Sequence, residues 1–556
     1  MSPDPDRREL RADLTRRDFV AAAVAATVSV TTPAAAGAAT SGSPRAAGPP
    51  SAVLPAREDA LFEKGVAELQ AMMARGALTS RALTARYLQR IAAMDKQGPA
   101  INAIIELNPD AAAIADALDS ERRAGRVRGP LHGIPVLIKD NIDSADQMRT
   151  TAGSLALADS RPLQDAFIVQ RLRAAGAVLL GKTNLSEWAN YRSTRSTSGW
   201  TGRGGLTRNP YVLDRNCSGS SSGTGAALAA DFATLGIGTE TDGSIISPAS
   251  ICGLVGIKPT LGLWSRSGII PIAASQDTAG PMCRTVADAA ALLGALTGVD
   301  ARDGATKASA SHAVSDYTTY LKEGALRGAR IGVARAQAGF NPDVDRAFDE
   351  AVFAMKEAGA VIVDPASLPT PAALGATELV VLDYEFKAGL NTYLASRGPS
   401  VAVKTLADLI AWNEREKARE MPWFGQEIFI RAQKSGPLTD KKYLDARATC
   451  LRLTRTQGID ALMATHRLDA IVLPSNQPAW TTDLLNGDHF TGGDTTYASV
   501  AGYPSITVPM GMVHGLPVGM SFVGRAWEEG RLISFAFAFE QTTKARRVPG
   551  YMRTLG

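Results

Sequence analysis

At 556 residues, with 45% hydrophobic and 21% charged side chains, the chain has ordinary globular composition and length enough for a large buried core or more than one domain. Its 59 basic against 55 acidic residues leave a formal charge of only +4, which indicates no basic face for nucleic acid and fits small neutral substrates better. The four cysteines and five histidines fall at no metal-ligand spacing, so the sequence calls for no metal and no cofactor, and three of the cysteines lie in apolar or glycine-rich contexts that suit buried free thiols.

Residues 1–39 read as an export signal. Thr15-Arg16-Arg17-Asp18-Phe19 is a twin-arginine pattern ahead of an uncharged, alanine-rich run that reaches Pro44, with small-residue cleavage sites at 34–38. The run is too weakly apolar and too broken by Thr, Ser and Pro to span a membrane. The mature chain is therefore expected in the periplasm or outside the cell, without a membrane anchor; the competing reading is a chance arginine pair on a disordered tail. Residues 40–57 form a flexible spacer, 58–546 the folded domain and 547–556 a C-terminal tail.

Apolar residues at helical spacing predict helices over 59–75 and 80–94, followed by a strand at 101–107 and a helix from Asn108-Pro109-Asp110 to about Gly125. Ile134, Val136, Leu137 and Ile138 form a buried-strand pattern that ends in Lys139, at the carboxyl end where α/β sheets place their sites. A helix over 163–175 leads to a strand at 177–180, with Gly181-Lys182-Thr183-Asn184 as its exit loop. Residues 176–183 formally satisfy a phosphate-loop pattern, but a helix precedes the first glycine and the interior is strand-like, so that reading is discarded. Core segments follow at 253–258 and 279–282, then a helix at 286–296 and a strand–helix–strand unit over 330–334, 343–358 and 361–363. Residues 376–458 are mainly helical; this elaboration, with Trp412, Trp423 and Phe424, is a candidate wall of a substrate entrance. Strands return at 470–473, 505–508 and 518–523, and the polar, aromatic loop 474–490 is long enough to line a pocket. The pattern describes one large α/β domain with a helical elaboration.

The chain is organised around residues 217–248. A knot of small residues, Ser218-Gly219-Ser220-Ser221-Ser222-Gly223, runs into the helical segment 225–230, which has almost no side-chain bulk, and a second turn ends at Asp242-Gly243-Ser244. A Gly/Ser linker would not pass at once into an apolar, alanine-rich segment, so the stretch reads as a hydrolytic serine with its support. Two versions compete. Gly219-Ser220-Ser221-Ser222-Gly223 satisfies the nucleophile-elbow pattern of α/β hydrolases with Ser221 central and His489 or His514 as base, but that motif needs a strand directly before it, and residues 209–217 read as a loop. The alternative joins Lys139 to two serines.

In this second version the chain resembles the amidase signature family, with Gly133 to Asn141, the serine–glycine knot and Gly238-Thr-Glu-Thr-Asp-Gly-Ser244-Ile in the family's order. The resemblance covers nearly all the mature chain and implies a single domain with a mixed central β-sheet surrounded by helices. It also implies Lys139 as base, Ser220 as a bridging serine after a cis peptide, and Ser244 as nucleophile. Chemistry agrees: burial disfavours the ammonium and makes a lysine a usable base, and the N–H groups of Thr241, Asp242, Gly243 and Ser244 would meet the developing oxyanion. Ser218 and Ser222 stand where the family usually has glycine, and Ile246 stands where many members carry an arginine, removing an anchor for a substrate carboxylate. The expected substrate is a small-molecule or short peptide amide, in the manner of the peptide amidase branch. Aryl amides, carbamates and esters are alternatives, as is a binding protein on a decayed scaffold.

Overall fold

A computed structural model of the protein describes residues 59–371 and 373–555. The expected export signal and spacer lie outside them. In chain order the strands are β1 (Ile104–Leu107), β2 (Pro135–Lys139), β3 (Val178–Thr183), β4 (Trp200–Thr201), β5 (Gly205–Leu206), β6 (Leu235–Glu240), β7 (Val255–Lys258), β8 (Thr278–Cys283), β9 (Arg330–Val333), β10 (Val361–Val363), β11 (Ala470–Pro474), β12 (Ser505–Val513) and β13 (Leu516–Val523). β4 and β5 form a small ribbon, and the other eleven make one mixed sheet in the order β1-β3-β2-β6-β8-β7-β12-β13-β11-β9-β10. β3, β2 and β6 are parallel, as are β11, β9 and β10, and the strands between β6 and β11 alternate in direction. Every residue of β2, β3, β6 and β8 is buried, as continuous apolar runs require when both faces of a sheet are covered. The α/β architecture with its mixed central sheet is thus as the sequence leads one to expect.

The main hydrophobic core runs from Val66 to Phe539, and two smaller clusters lie beneath the helical elaboration. The elaboration's first helix, Ala373–Ala395, sets Phe386, Leu390 and Leu394 against Trp188, Tyr191 and Phe429. Glu385, Ala388, Gly389 and Thr392 of that helix line a cavity that also reaches Thr239 and Thr241, as expected of the elaboration, while two of the elaboration's aromatic residues lie elsewhere. Phe424 is buried with its ring 5.1 Å from Trp200, and Trp423 is exposed. No helix among the described residues is long and apolar enough to cross a membrane.

Two local expectations are corrected. Gly181, Lys182 and Thr183 belong to β3 rather than to a loop, because β1 pairs onto them and the buried Lys182 ammonium donates to the Ile142 carbonyl and to Thr150 Oγ1. β1 starts at Ile104 because Ala100 and Asn102 take positive φ and hold the first residues out of the strand. The helix Glu529–Thr543 adds to the elements expected from the sequence, and Leu532, Phe535, Ala536 and Phe539, at helical spacing, form its buried stripe. All four cysteines are free and buried.

Candidate active site

β2 and β6 lie side by side and end on the same edge of the sheet, with Ile138 opposite Ile237. That register carries Lys139, the last residue of β2, next to Thr239 near the end of β6. Lys139 Nζ lies 2.7 Å from Ser220 Oγ, 2.9 Å from Thr239 Oγ1 and 3.3 Å from the Thr239 carbonyl. Asn141 donates to the same threonine hydroxyl at 3.0 Å. The lysine is fully buried, and desolvation pulls its ammonium down to about 7, against the opposing attraction of Glu240 and Asp277. A large share of the side chain is therefore neutral amine at neutral pH.

Ser220 is held by its backbone. The Gly219–Ser220 peptide bond is cis, and the Ser220 carbonyl accepts from Ser186 N–H at 2.9 Å. Ser218, at a usual glycine position, takes a positive φ of 56° and shares a 2.6 Å hydroxyl contact with Ser247, while Ser222 Oγ donates to the Ser218 carbonyl at 2.5 Å. The helix Ser222–Ala229 behind the knot is buried along its whole length. Ser221 is spent on structure: its hydroxyl donates to the Thr239 carbonyl at 3.1 Å and accepts from Thr239 N–H at 3.2 Å. With no strand leading into it and His514 paired instead with Asp343 on the surface, the nucleophile elbow is not built.

Between β6 and the short helix Ile246–Ile251 the chain makes the turn that contains Ser244. Glu240 closes it, accepting from the N–H groups of Ile245 and Ile246 at 2.7 and 2.9 Å and from the Ser499 hydroxyl at 3.0 Å. Gly243 has φ +77°, where a side chain is strained, and an added Cβ would meet Thr495 Oγ1 at 2.8 Å. The backbone N–H groups of Thr241, Asp242, Gly243 and Ser244 meet no acceptor among the described residues. Ser244 is tied to the knot through its carbonyl, which accepts from Ser221 N–H at 3.2 Å, and its hydroxyl makes no hydrogen bond to Ser220. The structure thus joins Lys139 to Ser220 and brings Ser244 to the same knot through the backbone alone.

A cleft of about 310 Å³ opens against Gly219, Asp242 and Gly243 and is walled by Asn190, Asp488 and Phe490. As expected, the loop 474–490 contributes to it. Asp242 accepts the hydroxyls of Thr495 and Thr496 at 2.6 and 2.7 Å, and Asp488 accepts the Ser198 N–H at 3.0 Å and its hydroxyl at 2.5 Å. Burial, with Asp242 nearby, pushes Glu378 well above the usual carboxylate range and Asp494 up to about 6. A second cavity, of about 440 Å³, is lined by Asn141, Thr239, Thr241, Asp277, Ile270 and Ala388 among others. Sequence reasoning assigned no role to Asn141, Thr239, Gln276 or Asp277. The first two sit inside motifs already recognised, and only the strand register shows what they touch.

A buried lysine–serine pair at the carboxyl end of parallel strands, beside a turn of free N–H groups, is equipped for acyl transfer. The family model for amidases matches residues 82–533. A probable amidase of Arabidopsis thaliana is 40% identical over 488 residues, covering 85% of this chain and 89% of the relative. The crystal structure of the peptide amidase from Stenotrophomonas maltophilia is similar with a TM-score of 0.84 at 51% identity, covering 88% of this chain and 99% of that one. An amidase family protein from Bacillus anthracis str. Ames reaches a TM-score of 0.80 at 36% identity, covering 88% and 92%. The chain belongs to the amidase signature family, and it is an amidase, hydrolysing carbon–nitrogen bonds.

Proposed function

We propose that the protein hydrolyses neutral carboxamides, foremost C-terminal peptide amides, through Lys139, Ser220 and Ser244. The observation that carries this reading is the 2.7 Å contact between a wholly buried Lys139 amine and Ser220. Neutral Lys139 takes the Ser220 proton as Ser220 takes that of Ser244, and Ser244 Oγ attacks the amide carbon. The N–H groups of residues 241–244 receive the oxyanion. Collapse breaks the C–N bond, the leaving amine takes the relayed proton, and water enters by the same relay to release the acid. Hydroxyls, amides and two aromatic rings line the cleft, which suits an extended peptide, while Asp242 and Asp488 oppose a substrate that carries its own carboxylate. The absence of arginine at Ile246 points the same way, as does the similarity to the peptide amidase.

Lys139→Ala is expected to lower kcat by at least about 10³-fold on a peptide amide, and wild-type kcat/KM to rise with pH through about 7 as the amine form appears. A fluorophosphonate should label Ser244 and spare Ser221. Near-wild-type turnover by Lys139→Ala, or labelling at Ser221, would remove the triad; a strong preference for free glutamine, aryl amides, carbamates or esters over peptide amides would remove the substrate assignment.

We also propose export by the twin-arginine route to the periplasm or beyond, on the strength of Arg16-Arg17 and the uncharged run behind it. Mature protein from the native host should begin near residues 37–41. An intact Met1 or Ser2 terminus ends that proposal.

A further inference from the structure

Two adjacent residues outside the proposed triad grip the turn that carries Ser244. β8 runs antiparallel to β6 with Thr278 opposite Glu240, so the chain entering β8, Gln276-Asp277, lies against the chain leaving β6, Thr241-Asp242. The Thr241 hydroxyl donates to Asp277 Oδ1 at 2.5 Å. The Gln276 side-chain amide donates to the Thr241 carbonyl at 3.3 Å and to Glu378 at 2.8 Å. Asp277 is itself anchored, since its other oxygen accepts the N–H groups of Ile272 and Ala273, each at 2.9 Å. Thr241 is therefore fixed through both its hydroxyl and its carbonyl, while Thr495 and Thr496 hold the next residue, Asp242, by its carboxylate.

We propose that Gln276 and Asp277 are positioning residues for amide hydrolysis: they hold Thr241 so that the N–H groups of residues 241–244 stay aimed at one point, and Asp277 provides a negative charge facing Lys139 as it takes up a proton. This rests on the reading of Lys139, Ser220 and Ser244 given above. Donors fixed before reaction need no reorganisation when charge develops, and removing one such donor lowers turnover by about 10²–10³-fold; loosening the turn forfeits part of that. The second role follows from the local charges. The carboxylates facing Lys139 are Glu240 and Asp277. Glu240 is occupied by the N–H groups of Ile245 and Ile246 and also faces Lys258 and Asp242. Asp277 faces Arg266, which is bound to Asp303 and lies near Glu385. Burial lifts Asp277 to about 6, below the value of about 7 at which Lys139 changes charge, so the carboxylate is largely ionised when the lysine takes up its proton.

The test is kcat and KM on a primary peptide amide between about pH 5 and 9, with melting curves, for the full chain carrying Asp277→Asn, Thr241→Val, Thr241→Ser or Lys139→Ala. Asp277→Asn should lower kcat roughly 10- to 100-fold with KM changed by less than about two-fold. Its acid limb of kcat/KM should move to lower pH, because loss of the anion makes the ammonium form of Lys139 less favourable. Thr241→Val should share the loss in kcat and Thr241→Ser recover most of it, and this pair decides the positioning role even if Asp277→Asn does not fold. A folded Asp277→Asn with wild-type kcat and an unmoved limb, or a Thr241→Val equal to Thr241→Ser, overturns the proposal. An active Lys139→Ala overturns the triad instead.

Discussion

Lys139, the base of the proposed triad, would bind function to instability. Its ammonium sits at about 7 in the fold against 10.5 for an ordinary lysine, and desolvation is the larger cause. Between those values an unfolded chain binds a proton that the folded one refuses, so the stability this group contributes is greatest above pH 10.5, falls as pH drops towards 7, and levels off below. Lys139→Met removes the titration. Its stability relative to the wild type should therefore be higher at pH 6 than at pH 9, by about 2–3 kcal/mol in denaturant unfolding. An equal difference at the two pH values would mean that the lysine is not desolvated, and the base would have to be sought elsewhere. The lysine's place in a motif was legible in the sequence. Its neutrality was expected from the resemblance, but the burial that produces it depends on which side chains close over it and came only from the fold.

The element that supports the site most directly is the helix Ser222–Ala229. Its composition, Ser-Gly-Thr-Gly-Ala-Ala-Leu-Ala, is poor in intrinsic stability at the glycines but admits a close approach that no bulkier sequence allows. A Cβ on Gly223 would lie 2.3 Å from the Asn184 carbonyl oxygen and 2.6 Å from the Ala103 carbonyl, both backbone atoms that cannot yield cheaply. One on Gly225 would stand 3.1 Å from Cys252 Sγ and from the Pro248 carbonyl. Gly223→Ala should thus lower stability by about 3 kcal/mol and depress kcat through the displaced knot, with a smaller loss for Gly225→Ala. Thermal melts with activity assays of the two variants check this, and a Gly223→Ala that melts like the wild type would show that the helix is not so tightly seated. The small residues announced a tightly packed helix in advance; what they pack against, the backbone at Ala103 and Asn184 and the helix Ile246–Ile251, came only from the fold.

At the scale of the whole molecule, the proposed site is assembled from parts far apart in the chain. Lys139, Ser220, Ser244, Gln276-Asp277 and Thr495-Thr496 meet because β2, β6 and β8 are neighbours in the sheet and because the segment ahead of the helix Thr496–Ala501 closes over the turn. Residues 547–555, within the stretch that read as a tail, are likewise built in: Leu213 N–H donates to the Met552 carbonyl at 2.7 Å and Tyr551 N–H to the Pro210 carbonyl at 2.9 Å, just ahead of the serine knot. The sequence by itself determined the α/β class, most strands and helices, and the three motifs that resemble the amidase signature, because hydrophobic period, small-residue runs and motif order are local properties of a chain. Only the tertiary structure decided that Ser221 is bound to the backbone of Thr239, that Asp242 and Asp488 share one cleft, and that Asp277 grips Thr241. Those facts depend on strand order and register, which bring together residues tens to hundreds of positions apart and which no local pattern encodes.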